Sequence, residues 1–357
     1  MKRETTVKVL TIALLALGTT FVSCDRKKSS KKTTNTTAIA EEINTIPTYR
    51  ESIVFITGKD NENSSFYKNA KTYFEEKEFE VITDAFSLQE IILWLNNNFD
   101  ERLYTDIHIV TKNNPWKGMA LETTIEGEKI TEQTLREDLV HGKIPKLDKV
   151  ITEDTNIIFH ASSLNDNAEL IRTFKNAFTS NVSANIITTP FYNIFGGEFS
   201  SHNLAKPYYG FYPTAKSPGK TDLSKEFAKK YPNEKEIDWY TALNNENERF
   251  VGDAYTIQFN FPVQWEFEYN GEEEVPYFEN TKEIIEWIKE DEEISKQLAT
   301  YNIPIEKFRW NSKTTKDKLV IKGITTVLCV LKPLIKPYGD LQHIEPEIDN
   351  LRLYTVE

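Results

Sequence analysis

Only two cysteines, Cys24 and Cys329, occur in the 357 residues. That is too few for a disulfide framework or a cysteine-rich zinc site. Positive charge is also scarce: 43 Lys and Arg against 55 Asp and Glu leave a formal net charge of −12. Duplex nucleic-acid binding draws its affinity from phosphate neutralisation, so no nucleic-acid partner is expected. Long hydrophobic runs are missing too, since the apolar stretch Val9 to Gly18 is about half of the 20 or so residues a spanning helix needs. His141, His202 and His343 have no second His or carboxylate at a ligand-like interval, so neither a metal site nor a cofactor is expected. What is present is a folded globular composition, 39% hydrophobic, 12% aromatic and 27% charged. Its length suits two domains, or one large domain with an appendage.

The amino terminus points to export. Lys2, Arg3 and Lys8 precede the apolar run, and Thr19-Thr20-Phe21-Val22-Ser23-Cys24 closes it, which is the layout of a secretory signal. Ser23-Cys24 resembles the end of a bacterial lipobox, although Phe21 stands where Leu is usual. The resemblance implies lipidation of Cys24 and attachment to a membrane through acyl chains, each buried CH₂ contributing about 0.8 kcal/mol. Residues 1–24 are then a lipoprotein signal peptide and 25–48 a flexible basic tether carrying Arg26, Lys27, Lys28, Lys31 and Lys32. Such a coil holds the folded part on the order of 25 Å from the bilayer, with its lysines near anionic head groups. The first 40 residues hold eight basic and two acidic residues, which leaves 35 basic against 53 acidic in residues 41–357. The implied location is the bacterial cell envelope, on its periplasmic face or at the cell surface.

From Ile53 the chain alternates between short β-branched runs and amphipathic segments. Strands are expected at Ile53–Ile56, Val81-Ile82, Ile107–Val110, Asn156–Phe159 and Ala184–Thr188. Helices are expected over Ser64–Lys77, from a Ser87/Glu90 capping box to about Phe99, and over Asn167–Phe178. This rhythm predicts an α/β fold, a mostly parallel sheet with helices on both faces, over residues 49–215. Chemistry in such sheets lies beyond the carboxyl ends of the strands. Two segments end there: Thr111-Lys112-Asn113-Asn114-Pro115-Trp116 and His160-Ala161-Ser162-Ser163.

In that arrangement residues 50–195 resemble the caspase-like cysteine peptidases, the group that includes caspases and gingipains. There a His ends one strand and a nucleophilic Cys ends the next, about 50 residues later in caspases. The resemblance places Thr111-Lys112 where Ser-His would stand and Ala161-Ser162 where Ala-Cys would stand, and no Gln-Ala-Cys-Arg-Gly sequence occurs. A thiolate is accessible near neutral pH, whereas a Ser hydroxyl needs a strong neighbouring base. Loss of peptidase activity is the expectation. The alternative is a serine-type hydrolase using Ser162 with Lys112, or with His160, which shares its face if the strand continues.

Further candidates have plainer readings. His160 is expected to cap a strand end, and His108, between Ile107 and Ile109, to be a core strand residue. Ser217-Pro218-Gly219-Lys220-Thr221 resembles the end of a phosphate-binding loop, but Thr214 replaces the required first glycine, so it is a turn. Asn165-Asp166-Asn167 lacks the glycine and glutamate of a calcium loop and is expected to cap a helix. Pro207-Tyr208-Tyr209-Gly210-Phe211-Tyr212-Pro213 is a dense aromatic loop. Buried, it straps the end of the sheet; exposed, Tyr208, Tyr209 and Phe211, with Trp116, form a binding surface for an envelope protein or a glycan.

After a connecting segment at 216–250, residues 251–357 are expected to form a smaller α+β lobe. Tyr255–Tyr269 alternates as antiparallel strands do, and Asn280 with Glu283 opens a helix reaching Leu298, its run Glu290-Asp291-Glu292-Glu293 a solvated face. Leu319–Gly323 and Thr325–Leu331 are expected to be paired strands, with Cys329 as a buried small hydrophobe.

Overall fold

The β-branched runs and the amphipathic segments that separate them sort onto two sheets. A computed structural model describes residues 49–50, 52–60, 64–98, 103–147, 149–197, 201–214, 216–244, 252–270, 274–334 and 352–357. The signal peptide, Cys24 and the tether lie outside the described residues, and Pro47–Glu357 forms one compact unit. Every apolar cluster described lies within that unit, so it carries the cores it needs to fold by itself. No helix among the described residues is long and apolar enough to cross a membrane.

The first sheet takes β1 (Ile53–Ile56), β2 (Glu80–Ile82), β3 (Asp106–Val110), β4 (Asn156–His160) and β5 (Asn185–Thr188). The second takes β6 (Tyr192–Phe195), β7 (His202–Tyr212), β8 (Tyr255–Glu268), β9 (Arg309–Thr314) and β10 (Lys318–Pro333), after which β11 (Thr355–Val356) returns to the first. The helices are α1 (Phe66–Glu76), α2 (Leu88–Asn97), α3 (Glu132–Val140), α4 (Ala168–Phe178), α5 (Lys220–Lys230), α6 (Trp239–Ala242), α7 (Thr281–Glu290) and α8 (Glu292–Thr300). The first sheet has the order β11-β5-β4-β3-β1-β2 and is parallel except for β11.

Successive side chains of a strand point to opposite faces, and here both faces are covered. Ile53, Phe55, Ile107, Ile109, Ile157, Phe159 and Ile186 meet α2, α3 and α4 in one core. Val54, Ile56 and Val110 meet Tyr67, Ala70, Tyr73 and Phe74 of α1 in another, with Phe195 of β6. The Ser87/Glu90 capping box forms as expected, Ser87 Oγ accepting from the Glu90 backbone N–H and Glu90 Oε2 from that of Ser87. Helix α3, which sequence reasoning missed, starts from an analogous Thr131/Thr134 pair.

The second sheet, β6-β7-β10-β8 with β9 also on β10, is antiparallel throughout, and this part of the chain departs from expectation in where the sheet begins, in β10 and in the helix after Asn280. It begins at Tyr192 rather than beyond 250, so the aromatic segment 207–213 lies mostly in strand β7, Tyr209 lying opposite Cys329. Residues 318–333 are one strand, not a pair. Gly323 makes no turn: a Cβ there would lie 2.4 Å from the Trp310 ring, so the glycine lets that indole lie on the backbone. Tyr255–Glu268 is likewise continuous, its Pro262 tolerated on an edge strand. The helix expected from Asn280 to Leu298 is two helices, because the Asp291 carboxylate accepts from the N–H groups of Glu293 and Ile294 and starts α8 afresh. Cys329 is fully buried, and burial pushes its thiol up to about 12.

Candidate functional site

The carboxyl ends of β3 and β4 lie on one rim, and the segments carrying Lys112 and Ser162 leave it side by side. Asn113 Nδ2 donates to the Ser162 carbonyl at 2.7 Å, joining the two turns. The side chains of Lys112 and Ser162, however, are not hydrogen-bonded to each other. Lys112 Nζ donates to Ser64 Oγ at 2.6 Å and to Asp60 Oδ1 at 3.3 Å, and lies 4.9 Å from the centre of the Tyr67 ring. The segment before α1 supplies both oxygens, and the Tyr67 hydroxyl accepts the Lys112 backbone N–H at 3.0 Å. Burial pushes the Asp60 carboxyl up, but the N–H groups of Lys68 and Tyr67, the Ser64 hydroxyl and Lys112 together hold it below its ordinary value. Ser162 is 8% exposed. Ser163, one residue later, takes the left-handed conformation (φ 52°), and its hydroxyl lies 3.4 Å from the Pro190 carbonyl and from Tyr209 Oη.

His160 belongs to a different environment, on the α1 face of the sheet. His108 Nδ1 and His160 Nε2 are 2.9 Å apart with their rings 12° from parallel, and the His160 and His202 ring centres are 5.7 Å apart. His202 Nε2 lies 3.1 Å from Asn193 Oδ1, and its ring stacks on Phe195 at 4.3 Å. Phe74 packs against His108 and His160, and Tyr73 against His202. All three imidazoles are buried. A neutral imidazole offers one donor and one acceptor, so two of them satisfy a single shared hydrogen bond without charge. Burial, reinforced by the nearness of His202, pushes His108 down to about 3. Burial likewise lowers His160, next to His108, with Asn193 opposing, and lowers His202, next to His160 and the Lys77 ammonium. The rings run in a row rather than around one point, and no group of three or more His, Cys, Asp or Glu among the described residues could hold a metal ion.

Sequence reasoning placed His108 on a strand and His160 just past the end of one, where the structure makes it the last strand residue, but missed their meeting. The signal lay in strand register: β3 and β4 are parallel neighbours, Val110 lies opposite His160, and 108 and 160 share the parity of the α1 face. His202 could not be foreseen, because it arrives from the first residue of β7.

The aromatic candidates are brought together by the second sheet. Trp116 extends from the β3 rim and packs edge-on against Tyr209 (5.0 Å) and Phe211 (6.0 Å), with Phe259 and Phe261 beside it; its indole N–H donates to the Tyr301 carbonyl at 2.9 Å. Tyr208 and Phe211 are buried, Tyr208 against α5 and α6 in a cluster with Trp239. Tyr209 and Trp116 are half-buried. The loop that carries Lys112 is thus clamped at its Trp116 end. No protein-family model matches the chain, and no curated protein matches it.

Proposed function

We propose that this chain is a lipid-anchored protein of the bacterial envelope whose α/β domain, caspase-like in arrangement, has no working hydrolytic site and acts by binding or in a structural role. The observation that carries the reading is the engagement of Lys112. A dyad base must face the hydroxyl it activates, and this amine instead faces Asp60 and Ser64. His160 is no substitute, because its Nε2 faces His108 across 2.9 Å. Membrane attachment rests on the signal-like amino terminus and Cys24. Its partner in this reading is an envelope protein or a glycan.

The test is direct. Purified residues 47–357, exposed to a fluorophosphonate probe, are expected to show no labelling that depends on Ser162. Labelling that disappears in Ser162→Ala would instead establish the serine-hydrolase alternative. In cells, radiolabelled palmitate should enter the full chain and be lost in Cys24→Ala; equal incorporation by both would refute the anchor.

A further inference from the structure

We propose that the cavity between β7, α5 and the α8-to-β9 connection binds a small amphipathic organic anion, an apolar ring system or chain carrying one carboxylate or sulfonate. The cavity encloses about 530 Å³, within the roughly 300–1,000 Å³ typical of small-molecule sites. Much of its lining is apolar. Phe211, Phe227, Ile303 and Pro304 all contribute to it. Gly210 supplies no side chain, and a Cβ there would fall 2.5 Å from the Phe227 ring.

Three charged side chains, Glu226, Lys230 and Lys307, also line it, and they are unequally paired. Lys307 is neutralised by Glu226, whose two oxygens lie 3.1 and 3.2 Å from its Nζ. Lys230 has no carboxylate partner among the described residues. Its ammonium donates to the Tyr209 carbonyl at 2.7 Å and sits 5.0 Å from the centre of the Phe211 ring. An ammonium has three N–H donors, so two remain for a ligand in the cavity that Lys230 lines. Burial of this end, with Lys307 nearby, lowers the Lys230 pKa, and an anion beside it relieves both costs. A neutral glycan would leave that ammonium unanswered and would set polar hydroxyls against phenylalanine, isoleucine and proline. An apolar body with a single anionic group meets both parts of the site.

This goes beyond the binding reading, because its ligand is neither the envelope protein nor the glycan assigned there. The test compares 1-anilinonaphthalene-8-sulfonate with N-phenyl-1-naphthylamine, the same ring skeleton without the sulfonate, on folded residues 47–357. Saturable one-to-one binding of the sulfonate is expected, about tenfold tighter than the neutral probe, as for one charge-assisted contact. Lys230→Met should remove that preference by weakening only the sulfonate, and Lys230→Arg should keep it. Ala299→Trp, at an exposed position on the cavity wall, should abolish binding of both probes without lowering the unfolding temperature. Equal affinity for the two probes, or sulfonate binding indifferent to Ala299→Trp, overturns the proposal. The fluorophosphonate result is independent: a chain that binds neither probe and shows no Ser162-dependent labelling loses the cavity assignment and keeps the inert rim.

Discussion

Acidification should destabilise this protein above the pH at which its carboxylates titrate, and the three buried imidazoles set the direction of the effect. An unfolded imidazole titrates at about 6.5, while His108 in the fold is pushed down to about 3 and His160 and His202 well below their ordinary value. Between these limits the unfolded chain binds more protons than the folded one, so stability rises with pH there. Their contribution is complete above about pH 6.5 and is lost progressively as the pH falls. An imidazole that stays neutral in the fold costs about 2 kcal/mol at pH 5, and about 1.4 kcal/mol more for each further unit. His108 alone costs about 2 kcal/mol at pH 5, and His160 and His202 act in the same direction, against a typical total stability of about 5–15 kcal/mol. The window from pH 6.5 to 5 isolates them, because Asp60, Asp138 and Glu234 are all held below their ordinary values. Urea unfolding of residues 47–357, followed by tryptophan fluorescence at pH 7, 6 and 5, measures the slope. His202→Gln keeps a donor for Asn193 Oδ1 and should lower that slope by about one proton per molecule, or about 1.4 kcal/mol per pH unit. Stability that stays flat between pH 7 and 5, or ring protons of these histidines titrating near 6.5 in the folded protein, would refute the reasoning.

Three further outcomes are expected. Ser87→Ala removes the acceptor of the Glu90 N–H and should lower stability by about 1 kcal/mol in chemical unfolding. Trp116→Ala takes away four aromatic neighbours and the hydrogen bond to Tyr301, so a loss of about 3–5 kcal/mol is expected, with Trp116→Phe costing less; a change under 1 kcal/mol would show that the clamp is not a stabilising contact. Gly323→Ala should cost about 1–3 kcal/mol by overpacking against Trp310, and a double variant with Trp310→Leu should show strong non-additivity.

The parallel sheet was legible because its strands are short and β-branched. Ile53–Ile56 coincides with the strand found, and the others differ by a residue or so at an end, where caps such as Ser87 and Asn167 fix the helices between them. The antiparallel sheet was less legible. Its partners are far apart in sequence, as Tyr209 and Cys329 illustrate, and no local pattern tells a buried aromatic strand from an aromatic strap. Gly323 reads as the end of a strand because glycine serves both backbone reversal and close approach, and only the Trp310 ring decides between them. At the rim, spacing placed Lys112 and Ser162 on neighbouring turns, but nothing near Lys112 in sequence pointed to Asp60, 52 residues earlier.

Strand β10 has one more consequence, for timing. It holds β8 along one edge and both β7 and β9 along the other, so these strands cannot be assembled until its sixteen residues are in place. Ala205 waits for Pro333, and closing so wide a loop is an entropic cost met before any contact repays it. Ala205 and Pro333 lie much further apart in sequence than Ile53 and Ile107 of the parallel sheet, so the antiparallel sheet is expected to close later, an order that stopped-flow tryptophan fluorescence would check.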